Sequence, residues 1–287
     1  MIRLRLQDIA DTVEGTVADG PASLEISGPA FLDSRSPEPG GLFVAFAGEH
    51  ADGHDHAAAA VAGGAAAVLG TRATGVPSVL VGDAEVGLQR LARGVLQRLR
   101  SASTDLRVVA VTGSQGKTTA KDMLARVLAD DDATVATAGS FNNELGLPLT
   151  VLRADETTRH LVLEMGARGV GHLAELCAIA PPDVSVVLNV GKAHLGEFGS
   201  QGQIAVAKGE LVEALASTGA AVLNLDDPLV SAMARRTSAH VWTFGRSADA
   251  EVRLGDVRVD DLGRPSFDLT YDRRTEHVAL RLLGEHQ

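Results

Sequence analysis

Hydrophobic and polar positions alternate along this chain in two periods, and the change from one to the other marks the elements. Residues 108–112 form a short β-branched apolar run, the pattern of a buried strand. The run breaks at Gly113-Ser-Gln-Gly116, after which Ala120, Met123, Leu124, Val127 and Leu128 recur at helical spacing. Further apolar runs predict strands at 134–137, 160–165, 184–189, 221–225 and 240–244, and helical spacing predicts helices over 118–129, 170–180 and 203–216. Strands alternating with helices make an α/β domain, with a mostly parallel sheet flanked by helices. The pattern changes near the end. Residues 251–259, 266–271 and 277–283 read as strands with a hairpin signal at Asp261-Leu-Gly263, so a small antiparallel β appendage is expected.

Upstream, residues 4–13 read as a strand or a short helix, and 33–41 are dense in turn formers. Strands are expected at 42–46, 65–69 and 78–81, with a polar loop at 48–54, an alanine-rich helix after it and a helix over 84–100. Ser101-Ala-Ser-Thr-Asp105 reads as a linker, which divides the chain into domains 1–104 and 105–287.

Composition narrows the class. The 287 residues carry a net charge of −11, which argues against nucleic acid or an acidic membrane surface as main partner. The chain is 45% hydrophobic but 3% aromatic, so Ala, Val and Leu must fill its cores. A single cysteine, Cys177 in an apolar helix, excludes a disulfide framework and fits a reducing cytoplasm. No signal-peptide pattern opens the chain, and the small-apolar run 57–70 is too short to cross a bilayer. Basic residues are overwhelmingly arginine, the lysines being Lys117, Lys121, Lys192 and Lys208. A lysine in such a chain suggests a place that needs a compact primary amine.

A strand, a glycine loop and a helix opening on Lys-Thr make a phosphate cradle. Backbone N–H groups of Gly113, Ser114, Gln115 and Gly116 and the helix start at Thr118-Thr119 face an anion, Lys117 reaches the outer phosphates, and the Thr118 hydroxyl can hold Mg²⁺. Val111 stands where the longer form of the motif has its first glycine. Glu164 ends the 160–165 strand, where a carboxylate could hold Mg²⁺ on the nucleotide or pair with an arginine. His194, just past the 184–189 strand, could ligate a second metal or stand as a solvated loop histidine. Lys208 is either a surface helix lysine or an amine lining the cleft, where the neutral form could capture CO₂ as a metal-holding carbamate. Asn142 and Asn143, in the turn-rich stretch 140–148, could orient a phosphate or an anionic intermediate, or serve turn chemistry. Asp226 at a strand end could hydrogen-bond a ribose. His50, His54 and His56 lack a ligand frame and read as loop residues.

In this order, Val111-Thr-Gly-Ser-Gln-Gly-Lys-Thr-Thr119, Ser140-Phe-Asn-Asn-Glu-Leu-Gly-Leu-Pro-Leu-Thr150, Leu163-Glu-Met-Gly-Ala167, Asn189-Val-Gly-Lys-Ala-His-Leu-Gly-Glu-Phe-Gly-Ser200 and Ala207-Lys-Gly-Glu210 resemble the motifs of the Mur ligases of peptidoglycan synthesis. That family also writes its phosphate loop without the first glycine. Asp33-Ser-Arg35, Leu42-Phe-Val-Ala-Phe-Ala-Gly48 and Asp52-Gly-His54 resemble its small N-terminal α/β substrate domain, which would put Ser34 and Arg35 at a UDP-sugar site.

The resemblance implies an ATP-dependent peptide ligase, cytoplasmic and monomeric. The 141–148 loop and Glu-Met-Gly-Ala favour the branch that joins D-alanyl-D-alanine to UDP-N-acetylmuramoyl-tripeptide. It implies two Mg²⁺ ions, one on Thr118 and Glu164 and one on His194 and carbamylated Lys208, with Lys117 and Asn142 in the catalytic set. Gly284-Glu-His286 resembles the lead into the family's third, ligand-binding domain, so two domains of three and weak or no turnover are expected. The alternatives are the branch that adds the third amino acid, an inactive paralogue, and a non-catalytic P-loop nucleotide-binding module.

Overall fold

The computed structural model describes residues 1–48, 51–191 and 198–281. Contacts divide the chain into two compact units. The first is Met1–Leu106 with Leu128–Leu161 and Ala178–Ala180, and the second is Arg107–Val127, Val162–Cys177 and the chain from Pro181 onward.

In the first unit, strand β1 (Leu4–Arg5) runs straight into helix α1 (Leu6–Val13), so both readings of 4–13 are realised. Leu6, Ile9, Ala10 and Val13 fall on one face of α1 and are buried. The Asp8 carboxylate accepts the Arg5 backbone N–H at 3.1 Å and closes the first turn. Strand β2 is Thr16–Ala18, and β3 (Glu25–Ile26) pairs antiparallel with β1. With β4 (Ala30–Phe31), β5 (Leu42–Val44), β6 (Ala67–Gly70) and β7 (Ser78–Leu80), β2 forms a five-stranded sheet in the order β2-β7-β6-β5-β4. All its pairings are parallel except that of β2 with β7. Helix α2 is Ala57–Ala62, and α3 (Ala84–Ala102) is capped by Asp83, which accepts the N–H groups of Glu85 and Val86 at 2.8 and 3.0 Å. Phe31 and Phe43, with ring centroids 5.5 Å apart, meet alanines 45, 57, 60 and 65 in the core, the small-residue filling that a chain poor in aromatics requires.

His54 belongs to this unit as a structural group in a short 3₁₀ turn, Gly53–His56. Its Nδ1 lies 2.5 Å from the Asp52 carboxylate, and its Nε2 accepts the Thr71 N–H at 2.8 Å. Both ring nitrogens are thus used, and the side chain is buried.

The large sheet is built from β8 (Arg107–Thr112), β9 (Thr134–Ala136), β10 (His160–Glu164), β11 (Val184–Val187), β12 (Ala220–Asn224), β13 (His240–Gly245), β14 (Val252–Val259), β15 (Pro265–Tyr271) and β16 (Arg274–Ala279). Its order is β16-β15-β14-β13-β12-β11-β8-β10-β9. The pairs from β8 through β11, β12 and β13 to β14 are parallel, and β14-β15-β16 is an antiparallel meander. The mostly parallel sheet and its antiparallel appendage are therefore both present. Val108, Val109, Ala110 and Val111 are all buried, as a central strand covered on both faces demands. Among the described residues, helices α4 (Lys117–Ala129), α5 (Gly146–Val151), α6 (His172–Ile179), α7 (Gln201–Glu213) and α8 (Pro228–Ser231) follow in chain order.

Helix α5 corrects the reading of 140–148 as loop throughout. Asn143 Oδ1 accepts the Gly146 N–H at 2.9 Å, and Pro148 falls in the first turn, where a missing N–H costs nothing. Its apolar residues Leu147 and Val151 are fully buried, which supplies the stability that so short a helix lacks alone.

Candidate active site

Strands β10, β8 and β11 are neighbours, and the residues just past their ends build the site. β8 passes through 113–116 into α4, the strand–loop–helix that the apolar pattern predicts. Val111, 1% exposed, is still inside the strand and pairs with Val186. The first glycine of longer phosphate loops therefore has no task at that place. The two glycines that remain do. Gly116 sits at φ +77°, in the left-handed region, and a Cβ on Gly113 would approach the Leu188 Cβ to 3.0 Å.

The loop is braced from β11. Asn189 Oδ1 accepts the N–H groups of both Ser114 and Gln115 at 3.0 Å, and its Nδ2 donates to the Gln115 carbonyl at 3.1 Å. The Ser114 hydroxyl in turn accepts the Gly191 N–H at 2.9 Å. Two N–H groups expected to face an anion thus have an internal acceptor. The first turn of α4, whose N–H groups have no partner within the helix, then forms the floor of the cradle. Lys117 Nζ folds over the loop to the Gly113 carbonyl at 3.0 Å. The Asn189 carboxamide was not singled out from the sequence. In the sequence it opens the motif that runs from Asn189 to Ser200 at a strand end, and nothing there tells which loop its side chain meets.

Thr118 and Glu164 are brought together, the hydroxyl donating to Glu164 Oε2 at 2.8 Å. A hydroxyl beside a buried carboxylate is a hard-oxygen pair of the kind that Mg²⁺ takes on a nucleotide. Lys208, on α7, is 4% exposed, so the surface reading of this lysine is overturned. Burial, and then the nearby Lys117 charge, push its amine down to about 8. His194 lies outside the described residues, as does His50.

Asp226 is engaged by backbone. Its carboxylate accepts the N–H groups of Arg246 and Ser247 at 2.6 and 2.9 Å, tying the end of β12 to the turn after β13. Its neighbour Asp227 caps α8 through Leu229 N–H at 2.9 Å and accepts the Val190 N–H at 2.7 Å. Cys177 is buried, and burial pushes its thiol up to about 12, so it is inert.

Ser34, Arg35, Asn142 and Asn143 belong to the first unit. Arg35 forks onto Asp33 with bonds of 2.9 and 2.8 Å, which holds that carboxyl down at about 2. Asp33 also lines a cavity of about 240 Å³ with Phe31, Ser36, Phe141, Leu149 and Arg153. The sequence neighbours of Ser34 and of Asn142 therefore share one wall. Asn143 is occupied with the turn into α5.

A phosphate loop at the end of a central parallel strand, with Lys-Thr opening the next helix and an acidic residue on the adjacent strand, defines a P-loop nucleotide-binding protein. Residues 111–287 match the Mur ligase middle domain and residues 31–95 the Mur ligase family catalytic domain. The chain belongs to the Mur ligase family.

The UDP-N-acetylmuramoyl-tripeptide–D-alanyl-D-alanine ligase of Mycobacterium tuberculosis (strain ATCC 25618 / H37Rv) is 46% identical over 312 residues, covering 100% of this chain and 61% of that protein. A crystal structure of MurF from Acinetobacter baumannii superposes with a TM-score of 0.86 at 29% identity, over 99% of this chain and 62% of that one. MurF ligase from Thermotoga maritima, in complex with ADP, gives 0.75 at 34% identity, over 88% of this chain and 58% of that one. The chain thus spans about three-fifths of the length of these relatives. Among the described residues no helix is long and apolar enough to cross a membrane.

Proposed function

We propose that this chain carries the UDP-sugar and ATP sites of a cytoplasmic, monomeric ligase that joins D-alanyl-D-alanine to UDP-N-acetylmuramoyl-tripeptide. The observation that carries the chemistry is the Thr118–Glu164 pair beside a braced phosphate loop, with a buried lysine amine held near neutrality. The choice of branch rests on relatives that bear that name over the whole of this chain.

In this reading α4 and Lys117 hold the phosphates of ATP, and a terminal carboxylate oxygen of the tripeptide bonds to the γ-phosphorus as the bond to the bridging oxygen breaks, giving an acyl phosphate and ADP. The amine of D-alanyl-D-alanine then attacks the acyl carbon, a proton leaves the nitrogen, and inorganic phosphate departs. Phosphoryl transfer of this kind needs positioning and charge neutralisation more than covalent help. Thr118 and Glu164 would hold one Mg²⁺, and His194 with a Lys208 carbamate a second; when bound, these ions neutralise phosphate charge. An amine titrating near 8 is roughly a quarter neutral at pH 7.5, so Lys208 can attack CO₂ and lose a proton to give the carbamate. Asn142 orients the phosphorylated substrate, Asp226 the nucleotide ribose, and Ser34 and Arg35 hold the UDP-sugar.

Calorimetric titration with UDP-N-acetylmuramoyl-tripeptide and with the corresponding dipeptide tests the assignment. Preference for the tripeptide is expected. Preference for the dipeptide would move the chain to the branch that adds the third amino acid, and binding of ATP alone would leave a nucleotide-binding module.

A further inference from the structure

Helix α7 turns three successive residues toward three different neighbours. Consecutive helical residues point about 100° apart around the axis, so fixing three in a row fixes the rotation of the helix. Lys208 points into the buried site, within electrostatic reach of Lys117. Gly209 lies directly under the Arg236 guanidinium, where a Cβ would collide with it. Through that bare face Arg236 reaches the helix backbone, donating to the carbonyls of Ala205 and Val206 at 3.0 and 2.9 Å, while its Nε donates to Glu213 at 2.8 Å. Glu210, 7% exposed, points elsewhere again. Its carboxylate accepts the N–H groups of Gly171 and Ala174 at 2.5 and 3.1 Å, at the amino end of α6. That end lies a few residues past Glu164, so Glu210 links the helix of Lys208 to the segment that carries the Mg²⁺ candidate.

These contacts oppose a real tendency. A buried lysine amine is disfavoured by desolvation, and a small turn of α7 or an extended rotamer would carry the amine back toward water. We propose that Arg236 and Glu210 are positioning residues that lock the rotation of α7, with Gly209 as the gap that admits Arg236, and so keep the Lys208 amine in the buried site. The proposal rests on the role given to Lys208 above.

Lysine acylation followed by peptide mass spectrometry tests it on the whole chain. Lys121, on α4 and 1% exposed, serves as the internal reference for an intact fold. Gly209→Ala displaces Arg236 without changing any charge, and Arg236→Met removes the fork. Both should raise the acylation rate of Lys208 about tenfold or more, as a local opening does, while Lys121 stays protected. Glu210→Gln, which leaves one amide N–H group facing the backbone donors, should do the same. Lys208 protection within about twofold of wild type in both folded Arg236→Met and Gly209→Ala would overturn the proposal. The carbamate itself is read separately by ¹³C NMR in labelled bicarbonate. A signal in wild type that Lys208→Arg abolishes, and that falls in Gly209→Ala at unchanged melting temperature, supports both the clamp and the role of Lys208. Absence of that signal in wild type sinks the carbamate role, and the clamp then stands or falls by acylation alone.

Discussion

Replacing Asn189 by alanine is the sharpest test of how the phosphate loop holds its shape. The change removes three hydrogen bonds to the loop, two at 3.0 Å to backbone N–H groups and one at 3.1 Å to a carbonyl. Each is worth about 1 kcal/mol net, but Asn189 is only half-buried and water will replace part of what is lost. About 1–2 kcal/mol of loop order should therefore disappear. The loop must be ordered to take a nucleotide, so that loss appears directly in affinity as roughly a 5- to 30-fold rise in the Kd for ATP. Isothermal titration calorimetry at fixed Mg²⁺ and salt measures it, with a thermal melt to show that the variant is folded. Asn189→Asp separates shape from charge. It keeps the acceptor for Ser114 and Gln115 but loses the donor to the Gln115 carbonyl and adds a negative charge beside the phosphates, so it should melt somewhat below wild type and bind ATP worse than Asn189→Ala. A folded Asn189→Ala that binds ATP within about twofold of wild type would refute the brace.

Thr118→Ala and Glu164→Gln should each weaken ATP binding at least about tenfold in Mg²⁺ and much less in EDTA, because both act through the ion; equal losses in the two titrations would count against the pairing. Lys208 titrates near 8 in the folded chain against 10.5 for the free side chain, so the unfolded state binds more protons between those values and stability rises with pH across that window. Lys208→Met should therefore stabilise the chain at pH 7 by about 1–3 kcal/mol in CO₂-free urea titrations and flatten the rise between pH 8 and 10.5, and an unchanged slope would contradict the burial. His54→Ala should destabilise by about 2–4 kcal/mol, since it leaves Asp52 and the Thr71 N–H without their shared partner. Chemical denaturation would show it, and a loss below about 0.5 kcal/mol would mean that the triad contributes little.

What was legible from the sequence is what is local. The apolar run at 108–112, the break at Gly113 and the helical spacing from Ala120 lie within about twenty residues, and they announced the phosphate loop with its strand and helix. Glu164 was legible because a strand end is a place that topology makes functional. The partners of these groups were not. Asn189 and Glu210 act on backbone 75 and 39 positions away, and no periodicity encodes which distant N–H groups a side chain will meet. Lys208 remained ambiguous for a related reason. Val206, two residues before it, is 43% exposed, and polar residues punctuate the helix, so the pattern does not say which way the amine faces. Asp226 shows the opposite limit. A carboxylate at a strand end reads as a ribose ligand, but nothing local shows that the N–H groups of Arg246 and Ser247 also donate to its two oxygens. Helix α5 was hidden because Asn143 and Pro148 are turn residues whose turn leads into a helix.

The brace on the phosphate loop also orders events in time. Asn189 is placed only once β11 has been laid against β8, pairing Val184 with Val109 and Val187 with Thr112 across more than seventy residues. Contacts of such long sequence separation form late and slowly. A growing chain that has emptied only its first 180 residues from the ribosome holds the complete glycine loop but no working cradle. If ATP is the ligand, as proposed, it would give nothing to the half-made sheet and stabilise the assembled one by mass action. On the proposed function, the nucleotide the site takes would also favour the site's own completion.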